Sequence, residues 1–365
     1  MKICFIGALD VIHLRRLMNH MANQGHDVHV ISYTTHAKQD VGHANIKVHK
    51  IEPKYNIFSK HLPKKAHYIK TMQVRKIVKE IKPDIIHGHF LTDYGLYTIF
   101  GGNARKIIHL TGSDVYLNWK TSRLQKIFDQ YVLKKVDVII SPSNHTASKL
   151  MDYFDVDPSK VVIFPEGIDP NIFNLDVKPC LIDTNNYTVI STRRHYPVYN
   201  IKLLIESIPY VLEEVQNVKF IILGDGPENE KLRDLSAKIG VKDNIMFVGS
   251  VDHHDIPKWL TSSNIYVSTT LSDSLGLSNL EAMACGVFPI VTDIPAVREY
   301  ILDGENGYII PFDEPRVLAN KIINALRDPG FLASARDKNL DLINSRFTYD
   351  KNVKVVEETY LLLAK

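Results

Sequence analysis

Asp273 and Glu281 flank Gly276 inside the segment 268–291, S-T-T-L-S-D-S-L-G-L-S-N-L-E-A-M-A-C-G-V-F-P-I-V. An apolar run precedes them and a helical pattern begins near Ser278. A glycine-containing loop leading into a helix presents free backbone N–H groups and the positive end of the helix dipole, which suits an anion such as a diphosphate. A carboxylate beside a phosphate would repel it, so the two acids read as acceptors for sugar hydroxyls at the mouth of one pocket. A turn acid and a dipole-favoured helix acid explain the same pair without any ligand, and only context separates the two readings.

A second loop, 7–16 (G-A-L-D-V-I-H-L-R-R), follows the first apolar run. It has one glycine where dinucleotide binders carry G-x-G-x-x-G, so a nicotinamide cofactor is not supported. Gly7 ends the run, and His13 opens the next helix, where it reads either as a phosphate or acceptor contact or as an ordinary helix-start residue.

These loops need elements to hold them. The run 2–7, a helical stretch 12–24 and the β-branched run 27–33 form a βαβ unit, and further runs follow at 46–51, 85–89, 106–110, 136–141 and 161–165, with a helix at 69–81. Periodicity lapses around the prolines and polar residues of 171–186, a linker. A second series opens at 187–191 and continues at 219–223, 244–248, 265–268, 287–291 and 307–310, with helices at 202–215, 228–239, 254–261, 279–285 and 315–327. The expectation is α/β: two Rossmann-like doubly wound parallel-sheet domains, 1–170 and 187–345, facing a cleft, with 346–365 a helix packing back across the hinge. Ligands of such sheets sit outside the carboxyl ends of the strands, where the loops above fall.

Composition agrees. The 365 residues are 45% apolar and 23% charged, which excludes disorder and coiled coil. The formal charge of +3 hides an asymmetry, since residues 1–175 hold 24 Lys+Arg against 15 Asp+Glu, a net of +9, and the remainder 20 against 26, a net of −6. Cys4, Cys180 and Cys285 are too far apart for a metal knuckle or a redox pair and read as buried bystanders in a reducing compartment. The sixteen histidines include no H-E-x-x-H spacing, and His253 and His254 are adjacent, so no metal site is expected. With no signal-like N-terminus and no apolar stretch near 18 residues, a cytoplasmic protein, at most peripheral on a membrane, is expected.

The spacing from Asp273 to Glu281, followed by A-M-A-C-G-V, resembles the E-x7-E signature of family 4 retaining glycosyltransferases, which have the GT-B fold. Supporting segments occur in order over nearly the whole chain: P-D-I-I-H-G-H at 83–89, G-S-D-V at 112–115, G-I-D at 167–169, F-I-I-L-G-D-G-P at 220–227, I-M-F-V-G-S-V at 245–251 and D-G-E-N-G-Y-I at 303–309. The resemblance implies transfer of a sugar from a nucleotide-sugar co-substrate to a hydroxyl of a glycan, lipid-linked or small-molecule acceptor, with no obligatory metal or cofactor. It implies Glu281 on the ribose hydroxyls, Asp273 on the donor sugar, Ser274, Leu275, Gly276, Leu277 and Ser278 along the phosphates, Gly249 to Val251 beside the base, and Gly224 in the donor site. A nucleotide-sugar 2-epimerase and a non-catalytic sugar-nucleotide binder share that fold and are the competing readings.

Three positions depart from the family pattern. Asp273 stands where the family has Glu, one carbon–carbon bond or roughly 1.5 Å shorter. In S-T-R-R-H-Y-P-V-Y-N at 191–200, Arg194 aligns with the family's phosphate Arg, but Tyr199 occupies the place of its Lys, leaving Arg193 to supply the missing charge. Thr111 stands where many members have His; His109, on the same strand face, reads either as a geometric substitute or as a packed core residue, and Asp114 is the one candidate for a carboxylate nucleophile in the N-terminal half.

Between Lys54 and Lys82 the chain carries nine Lys or Arg and the single acid Glu80. A solvated helix face explains such a run, and so does a patch for anionic membrane or a phosphorylated, lipid-linked acceptor, each base near a surface adding about 1 kcal/mol. No recognition motif accompanies it, so nucleic acid is not an expected partner.

Overall fold

The computed structural model describes residues 1–32, 43–51, 64–116, 123–180 and 185–365, which fall into two compact units, Met1–Glu166 with Val353–Lys365, and Gly167–Asn352.

The first unit opens with β1 (Lys2–Ile6), α1 (Ile12–Asn23), β2 (Asp27–Ser32), β3 (Lys47–Lys50), α2 (Lys64–Ile81), β4 (Ile85–His89) and α3 (Leu91–Ile99). It continues with β5 (Arg105–His109), α4 (Ser113–Tyr116), α5 (Arg123–Lys135), β6 (Val138–Ser141), α6 (Asn144–Tyr153) and β7 (Val161–Ile163). Among the described residues its seven strands pair in parallel in the order β3-β2-β1-β4-β5-β6-β7. Order reverses between β1 and β4, so the loops after these strands open a crevice.

The second unit holds β8 (Tyr187–Ser191), α7 (Ile201–Glu214), β9 (Val218–Leu223), α8 (Asn229–Lys238), β10 (Ile245–Gly249), α9 (Ile256–Leu260) and β11 (Ile265–Ser268). Then follow α10 (Leu277–Ala284), β12 (Phe288–Thr292), β13 (Tyr308–Ile310), α11 (Pro315–Arg327) and α12 (Pro329–Arg346). Its six parallel strands run β10-β9-β8-β11-β12-β13, the same winding, with the reversal between β8 and β11. Two apolar layers cover its faces, one of α7 and α11 against Val189, Phe220 and Ile290, the other of α10 against Ile190, Tyr266 and Val291. The last helix, α13 (Tyr349–Leu363), starts in the second unit and buries Val356 and Tyr360 in the first.

Three elements differ from the sequence expectation. Helix α2 starts at Lys64 rather than Ile69, and α9 keeps only five residues because 253–255 form the turn that enters it. Helix α12, eighteen residues long, has no apolar stripe, since it buries only Ala335, Asn339 and Ile343, one small residue, one amide and one aliphatic. Cys4 and Cys285 are buried, and burial pushes both thiols up to about 12, but Cys180 is exposed, against the expectation that all three are covered.

Candidate active site

In the second unit the strand-order reversal brings together the loops after β8 and β11, which carry Arg193 and Asp273. Arg193 donates from Nη2 to Asp273 Oδ2 at 2.6 Å and from Nη1 to Ser278 Oγ, in the first turn of α10, at 2.5 Å. Its guanidinium lies over the Tyr199 ring, 4.4 Å from the centroid. Tyr266 on β11 also donates to Ser278 Oγ, at 2.8 Å. Burial works against the Arg193 charge, but Asp273 first, then the Tyr266 and Tyr199 hydroxyls, raise its pKa above the ordinary value, so it stays a cation with only 9% exposure. The turn after β9 explains its position: Gly224 has φ +102°, and a Cβ there would sit 2.5 Å from the Arg193 carbonyl oxygen. Only glycine lets the two backbones approach that closely.

The loop into α10 is fixed from beneath. Gly276 caps the helix in a left-handed conformation, φ +75°, where a Cβ would fall 2.6 Å from Asn279 Nδ2 and 2.8 Å from the Tyr300 hydroxyl. Tyr300 donates to the Leu275 carbonyl at 2.7 Å and accepts from Asn279 Nδ2 at 2.8 Å. A buried network of this kind pre-orients the amides of residues 276–278 toward whatever occupies the helix N-terminus. Ser274 donates its N–H to Asp273 Oδ1 at 2.8 Å, so both oxygens of that carboxylate are engaged by Arg193 and by the loop.

Glu281, one turn into α10, is 7% exposed and accepts from His253 Nε2 at 2.9 Å; His253 packs edge-on against Phe173 at 5.1 Å. Gly249 accepts from the Gly224 N–H at 2.7 Å, which ties the loop after β10 to the one after β9, and Val251 and Leu277 pack on the apolar layer beneath α10. Arg194 is the residue the site leaves out: it is exposed, with its guanidinium 5.3 Å from the Tyr196 ring, and does not join Asp273 and Ser278. The arginine at the centre of the cluster is therefore Arg193 rather than Arg194, because the close approach at Gly224 turns the backbone at 193 toward α10.

In the first unit, Gly7 ends β1, with Leu14 Cδ2 2.6 Å and His89 Cβ 3.1 Å from where a Cβ would lie. His13, in the first turn of α1, donates from Nδ1 to Glu166 Oε2 at 2.5 Å. Burial would raise the Glu166 pKa, but the charge and hydrogen bond of His13, with Arg16 behind, outweigh it and lower the value. A depressed carboxylate stabilises the fold above its unfolded value of 4.5 and loses that contribution as pH falls through the lower folded value. With His13 36% exposed, the pair is worth about 1 kcal/mol, or a midpoint shift of about 2–4 °C. Glu166→Gln is therefore expected to lower the thermal midpoint by that amount at pH 7, with the gap closing below the carboxylate range; a gap that ignores pH would count against the pairing.

Asp114 is not placed for nucleophilic attack. It is fully buried and accepts from the backbone N–H groups of Leu91, Thr111 and Gly112 at 3.0, 3.1 and 2.9 Å, which makes it the anchor of two loops. His109 is 2% exposed, and its Nε2 lies 3.9 Å from Glu166 Oε1. It joins His87 and His89 in a group that sequence spacing did not disclose, although H-G-H on one strand puts two rings on one face. Burial, largest, and neighbouring imidazoles hold all three well below the ordinary histidine value, so they are neutral. Glu166 and His253 were likewise not singled out, since their importance comes from partners 153 and 28 residues away.

The basic run is only partly a surface patch. Lys54 and Lys60 lie outside the described residues, Lys70 is fully buried, and Arg75, Lys76, Lys79 and Lys82 are exposed. Among the described residues no helix is long and apolar enough to cross a membrane.

Residues 174–357 match the family described as glycosyl transferases group 1, and residues 2–143 match glycosyl transferase 4-like. The chain is 22% identical over 352 residues to N-acetyl-alpha-D-glucosaminyl L-malate synthase of Bacillus anthracis, spanning 93% of this chain and 90% of that one. It is 24% identical over 266 residues to the gpi3 component of phosphatidylinositol N-acetylglucosaminyltransferase of Schizosaccharomyces pombe, covering 70% of this chain and little more than half, 56%, of the yeast protein. In structure it resembles sucrose-phosphate synthase from Thermosynechococcus elongatus, with a TM-score of 0.81, 16% identity and 100% and 99% of the two chains covered. Anabaena HepE, solved with UDP, gives a TM-score of 0.80 at 16% identity over 99% and 100% of the chains. The chain belongs to the group 1 glycosyl transferases and is a glycosyltransferase of the GT-B fold.

Proposed function

We propose that the protein transfers a sugar, with retention of anomeric configuration, from a nucleoside-diphosphate sugar to an acceptor hydroxyl in glycan, glycolipid or cell-surface polysaccharide synthesis in the cytoplasm. The observation that carries this reading is the Arg193, Asp273 and Ser278 cluster at the N-terminus of α10. A fixed cation beside free helix amides is complementary to a diphosphate, and most so as it departs with full charge. Arg193 grips the phosphates, residues 274–278 line them with N–H groups, Glu281 takes the ribose hydroxyls, and Asp273 holds Arg193 in place while its remaining lone pairs face the donor sugar. Arginine and helix terminus carry the neutralisation that other transferases assign to a metal, so none is obligatory.

In the transfer the bond from the anomeric carbon to the phosphate oxygen breaks, the acceptor oxygen bonds to the same face of that carbon, and the acceptor proton passes to the departing phosphate. His13, oriented by Glu166, binds the acceptor hydroxyl. The acceptor is of the glycan, lipid-linked or small-molecule class, and the exposed bases of α2 meet its anionic group or an anionic membrane.

The test is a binding screen with UDP, GDP and ADP, followed by turnover of the matching nucleotide sugars. UDP is the first choice because HepE, a structural neighbour, was solved with it. The expected result is tight binding of one nucleotide and sugar transfer with the donor's anomeric configuration kept, read by proton NMR. Release of an epimerised nucleotide sugar without acceptor, or tight binding with no sugar passing to acceptor or water, would overturn the reading.

A further inference from the structure

We propose that His87, His89 and His109 form a binding site for a transition-metal cation of the Zn2+ class, set in the first sheet at the carboxyl ends of β4 and β5. Strand parity puts His87 and His89 on one face of β4, and the parallel register sets His109 of β5 directly beside His89. The rings converge: one nitrogen from each lies within 4.8 Å of one from each of the others. Ligand nitrogens around a tetrahedral Zn2+ at 2.0–2.1 Å are about 3.4 Å apart, so side-chain rotations that close the nitrogens by up to about 1.4 Å complete the geometry.

Hydrogen bonding selects the ligand atoms. The three rings are 0%, 3% and 2% exposed, yet among the described residues His87 Nε2, His89 Nε2 and His109 Nδ1 have no hydrogen-bond partner. Three orphaned imidazole nitrogens on neighbouring buried rings are costly in a sheet interior, and a cation held between the rings would satisfy them. On two of the three rings the opposite nitrogen faces a polar group, as in metal-bound histidines. His87 Nδ1 shares a hydrogen bond with the Tyr360 hydroxyl of α13, and with that N–H donated, Nε2 carries the lone pair. His109 Nε2 faces the Glu166 carboxylate at 3.9 Å, which orients the ring and adds a compensating negative charge.

Three neutral imidazoles with a carboxylate behind them favour a borderline transition cation over Mg2+ or Ca2+, which need oxygen donors. The His13 and Glu166 side chains, 36% and 10% exposed, are the less buried neighbours of the cluster. The site belongs to the first unit alone and stands or falls independently of the donor site in the second.

Titration of the metal-stripped full-length chain with CoCl2, then ZnCl2, tests it. The expected result is one equivalent of Co2+ bound with the visible absorption of a four-coordinate nitrogen site, displaced by Zn2+, and a thermal midpoint that rises with metal concentration. His89→Ala and His109→Ala are expected to weaken uptake by at least about 100-fold, and Tyr360→Phe, which keeps the ring buried, by about 10-fold. Replacement of the exposed His254 by Ala leaves uptake unchanged. Because loss of a buried ring can unfold the unit, X-ray absorption of the Zn2+-loaded unmodified chain is the independent readout. Three imidazole nitrogens per ion support the site; no stoichiometric uptake, an oxygen-dominated shell, or full affinity in folded His89→Ala and His109→Ala overturns it.

Discussion

Replacing Arg193 with Met is expected to lower sugar transfer by about 10²–10³-fold, the cost of losing one pre-oriented donor aimed at developing charge. Three contacts hold the guanidinium before any donor arrives: Asp273, Ser278 and the face of Tyr199. No reorganisation is then needed at the moment the diphosphate leaves, which is why the loss should appear in kcat more than in KM. The substitution also strands Asp273, whose side chain is 19% exposed, without its cation. A companion variant that also changes Asp273 to Asn removes the stranded charge, so a folding defect would recover in the pair while a catalytic one would not. Arg194→Ala, on the exposed side of the same turn, is expected to cost less than about tenfold, since a solvated charge is screened. The family places a Lys where Tyr199 stands, so Arg193→Gly with Tyr199→Lys should recover part of the lost rate by returning a cation beside the place the guanidinium leaves. Near-native kcat in Arg193→Met would remove Arg193 from the mechanism.

Arg193 and Arg194 also mark where sequence reading reached its limit. The two sheets were legible because buried parallel strands are continuous apolar runs, and the rule that ligands sit at the carboxyl ends of strands pointed to the loops that follow them. Which of two adjacent arginines turns inward was not, because that depends on the backbone approach at Gly224, thirty residues on. Helix α12 escaped for a simpler reason: its one buried face is made of Ala335, Asn339 and Ile343, too little apolar pattern to see. Asp114 looked like a loop carboxylate open to substrate, and only the three amides converging on it identify an anchor. His87, His89 and His109 come together through strand register, which spacing along one chain does not encode. The charge asymmetry is sharpened in the same way. Lys70 is buried, but so are Asp114, Asp129 and Glu166, so among the described residues burial removes more acids than bases and the net of +9 over residues 1–175 understates the surface charge, and Arg75, Lys76, Lys79 and Lys82 form an exposed cluster on α2 and its end.

Glu281→Gln is expected to weaken nucleoside-diphosphate binding by about 10- to 100-fold, the value of hydrogen bonds to a charged acceptor. The carboxylate has one oxygen accepting from His253 Nε2 and a second left to receive hydroxyls, and at 7% exposure it is shielded from competing water. Gln keeps the shape and one acceptor but turns the other position into a donor. Loss of affinity alone would not show what Glu281 touches, so the decisive measurement pairs the variant with a ligand lacking the 2′ and 3′ hydroxyls. If Glu281 reads the ribose, the dideoxy nucleotide binds the unmodified protein about 10- to 100-fold more weakly, and binds Glu281→Gln with little further loss, because the two changes remove the same interaction. Equal penalties for the dideoxy ligand in both proteins would mean that the ribose is held elsewhere. His253→Ala separates orientation from contact: it leaves the carboxylate in place but frees it to rotate, so a smaller fall of about 3- to 10-fold is expected, with the dideoxy penalty largely kept.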